Sequence, residues 1–196
     1  MVVAVLLGSV RSDRMGGRAA KWAIAQLERR GHEAVLVDAA ELKLPMLDKM
    51  WKELKKDTSD EYKDLRVKLA PLAELYERVD GFCIVSAEYN HSIPPAMTNL
   101  IDYFLEEYFF RPSAIICYST TPFGGVRAAM QLRALLAEAG MPSIPSLQPI
   151  PAVDKSLSHD GKALTQELAE NTGKFFDEFD WYMRAMKAER QKGVPY

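Results

Sequence analysis

Nine consecutive residues near the N-terminus, Gly8-Ser9-Val10-Arg11-Ser12-Asp13-Arg14-Met15-Gly16, carry side chains suited to holding an anion. Serine hydroxyls and arginine guanidiniums donate to anionic oxygens, and charge-assisted bonds are the stronger kind. The apolar run Val2 to Leu7 precedes them without a spacer, and helical periodicity begins after Gly16. A strand, a tight loop and a helix start therefore meet here, which aims free backbone N–H groups and the positive end of a helix dipole at one spot. The plainer alternative is that Arg11 and Arg14 are solvated charges beside an ordinary turn. The loop lacks the Gly-Lys-Ser/Thr ending of a triphosphate loop, and arginines stand between its glycines where a pyrophosphate needs bare backbone. One phosphate monoester suits it best.

The elements that must position this loop alternate between strand and helix. Strands are expected at Val2 to Leu7, Glu33 to Asp38, Gly81 to Ser86, Ser113 to Tyr118 and, weakly, Ser146 to Ile150. Helices are expected at Gly16 to Arg30, from Ser59 towards Glu77 with a break near Pro71, from Pro94–Pro95 through Phe104, and from Gly125 to Ala139. A long helix near 161–190 closes the chain, and residues 42–57 read as an irregular insertion that could roof a cavity. Such alternation requires a parallel sheet covered on both faces, and five strands suggest the order 2-1-3-4-5 of a flavodoxin-like three-layer sandwich. The whole chain, 1–196, reads as a single domain.

In that order the loops after the first and third strands splay apart and leave a crevice. Loop three is Ala87-Glu88-Tyr89-Asn90-His91-Ser92, and loop four is Ser119-Thr120-Thr121-Pro122-Phe123-Gly124-Gly125. Tyr89 or Phe123 could lie against a flat ring, Asn90 or nearby backbone could bond its edge, and Gly124 and Gly125 would let backbone come close. One phosphate, a polyhydroxyl chain and a flat heteroaromatic ring are the parts of flavin mononucleotide (FMN). Taken singly, each loop also reads as an ordinary turn or helix start.

Four segments together resemble the NADPH-dependent FMN reductase family over roughly residues 2–150: Gly8 to Arg11, Glu88 to Pro94, Asn99 to Tyr103, and Tyr118-Ser119 with Phe123 to Ala128. The resemblance implies FMN as cofactor and electron transfer from NADPH or NADH to a flavin, quinone, azo compound or metal oxyanion, in a homodimer or homotetramer. It assigns the cofactor's phosphate to Ser9, Arg11, Arg14 and Gly16, and counts Gly8 among the cofactor-binding residues. The ring and ribityl chain fall to Glu88, Tyr89 and Asn90, and the opposite wall to Ser119, Phe123 and Gly124. The chain departs from the family pattern at Ala87 (proline in many relatives), Arg14 (serine), Gly16 (asparagine) and Thr98 (lysine), and the last of these leaves the choice between NADPH and NADH open. The reaction asks for no protein acid or base, so no side chain is assigned as catalytic, and His91 reads as a loop residue.

The remaining features narrow the classes. A formal net charge of −2 with mixed signs provides no basic stripe for nucleic acid. No apolar run approaches a membrane span and the start lacks a secretory pattern, so a cytoplasmic protein without membrane partners is expected. Cys83 and Cys117 lie in apolar runs and read as core, not as a metal site. The aromatics of 103–110 and 175–182 exceed what one buried face needs and suggest subunit contacts, while Gln191 to Tyr196 read as unanchored. A flavodoxin-type electron carrier, or a flavin-free regulatory relative of the same fold, is the alternative function.

Overall fold

A computed structural model describes residues 1–196. Its core is one five-stranded parallel sheet in the order β2-β1-β3-β4-β5. The strands are β1 Val2–Leu7, β2 Glu33–Asp38, β3 Gly81–Ala87, β4 Ser113–Tyr118 and β5 Ser143–Ile150. β1, β3 and β4 are mostly apolar because both of their faces are covered, and β3 and β4 are buried at every position. β2 and β5, at the two edges, are more exposed. Register pairs Leu7 with both Asp38 and Val85, and Tyr118 with both Ala87 and Ile150, so the carboxyl ends of all five strands share one rim.

Helices pack on both faces. The longer ones are α1 Gly16–Arg29, α4 Lys63–Arg78, α5 Pro95–Asp102, α6 Val126–Glu138 and α9 Gly173–Arg190. Short turns fill the connections: α2 Ala39–Leu42, α3 Trp51–Leu54, α7 Val153–Ser156 and α8 Gln166–Glu170. One face of the sheet carries a cluster of 26 buried apolar residues built with α4, α5 and α6; the other carries 23, built with α1 and α9. No helix is long and apolar enough to cross a membrane.

Several expected elements are redrawn. α4 starts at Lys63, not Ser59, and runs through Pro71, whose ring lies on the solvent side while Leu69, Leu72, Leu75 and Tyr76 seat the helix in the core. The helix expected near 161–190 is two helices after a turn. Gly161 takes φ +78°, and a side chain there would run into the backbone of Arg18 and Trp22, so the chain must turn against α1 before α8 can begin. The aromatic excess is mostly core: Tyr103, Phe104, Tyr108, Phe175, Phe176 and Phe179 are buried, and Tyr76, Phe82, Phe104 and Tyr108 pack edge to face. Trp181, at 60% exposed, is the surface exception. Tyr196 meets Phe109 edge-on and Phe110 at a tilt, with ring centroids 5.5 and 5.1 Å apart, and is otherwise open to solvent.

Candidate functional site

Three loops from the rim of the sheet enclose a polar cavity of about 400 Å³. Loop one contributes Ser9, Arg11, Asp13, Arg14 and Met15; loop three contributes Glu88 and Tyr89; loop four contributes Ser119, Thr120 and Thr121. Ser9 Oγ and Tyr89 Oη share a hydrogen bond of 2.8 Å, which ties loop one to loop three. Residues 80 positions apart thus meet because β1 and β3 are neighbours in the sheet.

Two helix N-termini point at this rim, and they differ. At α6 the Glu88 carboxylate accepts from the backbone N–H groups of Arg127 (2.9 Å) and Ala128 (3.2 Å), and Arg127 Nη1 adds a bond of 3.2 Å. Burial pushes the Glu88 carboxyl up, but these bonds outweigh it and hold it below the ordinary value. That helix end already has its anion. At α1 no side chain caps the first turn and no acidic residue lies in it, so its donors remain available to a ligand.

A second feature borders the same cavity. Tyr118, at the end of β4 and 4% exposed, has a hydroxyl with no partner. Burial pushes this phenol well above its ordinary pKa, so it stays protonated and can only help an acceptor as a neutral donor. Gly16 makes this placement possible, since a Cβ there would collide with the Tyr118 hydroxyl and with Leu7. An orphaned buried donor beside an uncapped helix start fits an anionic oxygen.

The two arginines expected to hold phosphate are engaged elsewhere. Arg14 makes a bidentate pair with the buried Asp38, at 2.5 and 2.6 Å, and donates to the carbonyl of Ser9 at 2.8 Å. Its guanidinium, held more firmly protonated by Asp38, braces loop one against the end of β2. Arg14 still lines the cavity, with its guanidinium committed to Asp38 and the Ser9 carbonyl. Arg11 forms an exposed fork with Asp13, at 2.9 and 2.8 Å. A pair so open to solvent is weak and screened, so Arg11 can turn towards a ligand.

The other expected residues are distributed as follows. Gly8 lines the adjoining apolar chamber instead of the polar cavity, because its bare backbone is pressed against Met97. Gly16 lies behind the cavity wall. Asn90 stands exposed at the tip of loop three with φ +49°, followed by His91 at +60°; the pair turns the chain so that Tyr89 and Ser92 bridge. Phe123 is 56% exposed beneath Arg127, whose guanidinium lies 4.3 Å from its ring centroid, and Gly124 sits against Pro149 and Ile150. Phe123 and Gly124 therefore flank the cavity without lining it. Tyr118 and Asp38 were not singled out from sequence; their signal was a polar residue closing an otherwise apolar strand. Cys83 and Cys117 are buried, with burial pushing both thiols up to about 12, and no cluster of three or more His, Cys, Asp or Glu stands together.

Fold and site define a flavodoxin-like α/β protein with a polar pocket at the reversal point of its sheet. A family model described as NADPH-dependent FMN reductase matches residues 1–153. The chain belongs to this family. It is similar to the NAD(P)H-dependent FMN reductase ntnL from Nectria sp, 31% identical over 138 residues. That match takes in 66% of this chain and 64% of the relative, so the chain spans less than two thirds of the relative's length. Among solved structures, FerB, a flavoenzyme NAD(P)H:(acceptor) oxidoreductase from Paracoccus denitrificans, superimposes with a TM-score of 0.73 at 23% identity, over 93% of this chain and 97% of FerB. A flavodoxin mutant from Pseudomonas aeruginosa has a TM-score of 0.55 at 18% identity, over 94% of this chain and 99% of its own. Both likenesses are of fold.

Proposed function

We propose that this protein is an FMN-dependent NAD(P)H oxidoreductase that passes electrons from NADPH or NADH to a small acceptor of the flavin, quinone, azo or metal oxyanion kind. The observation that carries the reading is the polar cavity with an uncapped α1 and an orphaned Tyr118 hydroxyl at one end. Family membership supports it independently.

In this reading the phosphate of FMN takes the donors at the start of α1, the hydroxyls of Ser9 and Tyr118, and Arg11 once it leaves Asp13. Gly8, Gly16 and Arg14 act behind this contact, by room and by bracing. Glu88, Tyr89 and Asn90 meet the ribityl chain and ring edge, with Ser119, Phe123 and Gly124 on the facing side. When bound, the isoalloxazine supplies the hydride chemistry. The chain's part is to orient and to exclude water. Glu88, already saturated by α6 and Arg127, places no unpaired charge in the pocket. A homodimer or homotetramer belongs to the same proposal, supported by the exposed Trp181 on α9, and light scattering on the purified protein measures it.

The test is the absorption spectrum of the purified protein with added FMN, followed by anaerobic titration with NADPH and with NADH. Flavin absorbance that shifts on binding and bleaches with either nucleotide is expected. A folded protein that leaves the FMN spectrum and fluorescence untouched would overturn the assignment.

A further inference from the structure

On the far side of Tyr89 from the polar cavity lies a second chamber of about 570 Å³, and Tyr89 is the one side chain that lines both. We propose that this chamber is a separate small-molecule site that takes a flat aromatic acid. The proposal goes beyond the flavin assignment and stands whether or not the polar cavity binds FMN.

Size and lining point to a small organic ligand. Binding pockets for such molecules span roughly 300–1,000 Å³ and are mostly apolar with a few placed polar groups. Leu44, Pro94, Pro95 and Leu100 provide apolar walls here, while Ala39, Ala40 and Ala96 present only methyl groups that a planar ring can approach. No acidic residue lines the chamber. Its single charge is the exposed Lys43, whose ammonium has no acidic partner. One unpaired cation at the edge of an apolar slot selects a ligand with one anionic group.

The chamber is also framed in advance. Its outer wall belongs to the 42–57 insertion, which buried hydrogen bonds hold in place. Asn99 on α5, 8% exposed, donates to the carbonyl of Pro45 at 2.7 Å and accepts from the N–H of Leu47 at 2.8 Å. The Tyr103 hydroxyl donates to the same Pro45 carbonyl at 3.0 Å. Lys43 itself takes φ 47°, a left-handed turn that swings Leu44 to Met46 across the opening. A wall pinned at this density keeps the space open without an occupant, which lowers the ordering cost of binding.

Isothermal titration calorimetry with 2-naphthoate as probe, and methyl 2-naphthyl ketone as its neutral counterpart, tests the proposal on the full chain with and without saturating FMN. Naphthoate is expected to bind in both conditions. Lys43→Gln should weaken the acid about fivefold, as loss of a solvent-exposed charge contact does, and leave the ketone unchanged. Ala96→Phe should abolish both. Met46→Glu, at an exposed rim position that leaves the core intact, should weaken only the acid. No binding of naphthoate, complete displacement by FMN, or affinities indifferent to all three substitutions would overturn the site. FMN binding followed by its own fluorescence reports separately: its failure beside the expected naphthoate pattern would sink the flavin reading alone.

Discussion

Tyr118 separates ligand binding from stability. Its hydroxyl is buried without a partner, so Tyr118→Phe removes a donor that the free protein does not use. FMN affinity should fall about five- to tenfold, the equivalent of one hydrogen bond of about 1 kcal/mol, while the thermal midpoint holds or rises. Fluorescence titration and a melting curve on the same preparation check both halves. Arg14 is expected to behave in the opposite way. Arg14→Ala strands the Asp38 carboxylate in a buried position, and stability should drop by about 2–4 kcal/mol in urea unfolding. A double-mutant cycle with Asp38→Asn should recover most of that loss if the pair is a brace. Glu88 brings a pH dependence. Its folded pKa lies below the ordinary 4.5, so its contribution is fully present above that value and is lost as pH falls through the folded value. Protection of the first-turn α6 amides against hydrogen exchange, taken relative to the intrinsic rate at each pH, should therefore fall as pH drops through the lowered folded value in the native protein. Glu88→Gln should show no such step.

Among the elements, the 42–57 insertion and the α5 start define the second chamber together. Asn99 is the joint between them, and its amide satisfies backbone groups that no secondary structure reaches. Asn99→Ala leaves the Leu47 N–H without a partner and the Pro45 carbonyl with Tyr103 alone. A loss of about 1–3 kcal/mol is expected, with faster proteolysis inside 42–57 as the local readout. Loop three is stiff for a different reason. Two adjacent non-glycine residues with positive φ form its tip, and Gln131 on α6 secures it through Ser92 Oγ (2.6 Å) and the His91 carbonyl (2.8 Å). Loop three is thus anchored from the helix beside it.

Across the molecule, the candidate site and the Asp80 fastening occupy opposite ends of the sheet. At the amino ends of the strands Asp80, buried, accepts from the Val2 N–H at 3.1 Å, from Lys187 at 2.9 Å and from Arg190 at 3.2 Å. This one carboxylate joins β1 to the last turn of α9. Asp80→Ala should cost about 3–5 kcal/mol and raise hydrogen exchange along α9, with FMN affinity unchanged in the protein that remains folded. A fall in FMN affinity with no change in α9 exchange would contradict this division. Loops one, three and four stand at the end of the sheet away from Asp80, while two apolar layers carry most of the burial.

The strands, their order and the three loops at one rim were readable from residue order, because apolar runs and glycine or proline stops are local signals tied to the backbone's own periodicity. β4 runs from Ser113 to Tyr118 as expected, and the glycine between Leu7 and Ser9 does mark the turn into loop one. What Arg14, Glu88 and Tyr118 do was not readable in the same way. Each role depends on a partner 24 to 102 positions away: Asp38 for Arg14, the α6 start for Glu88, the space left by Gly16 for Tyr118. A side chain's type says what it can bond, whereas which atom stands opposite is set by strand neighbours and helix packing. The break at Gly161 has the same origin, since nothing in its own segment records that the backbone of α1 lies against it.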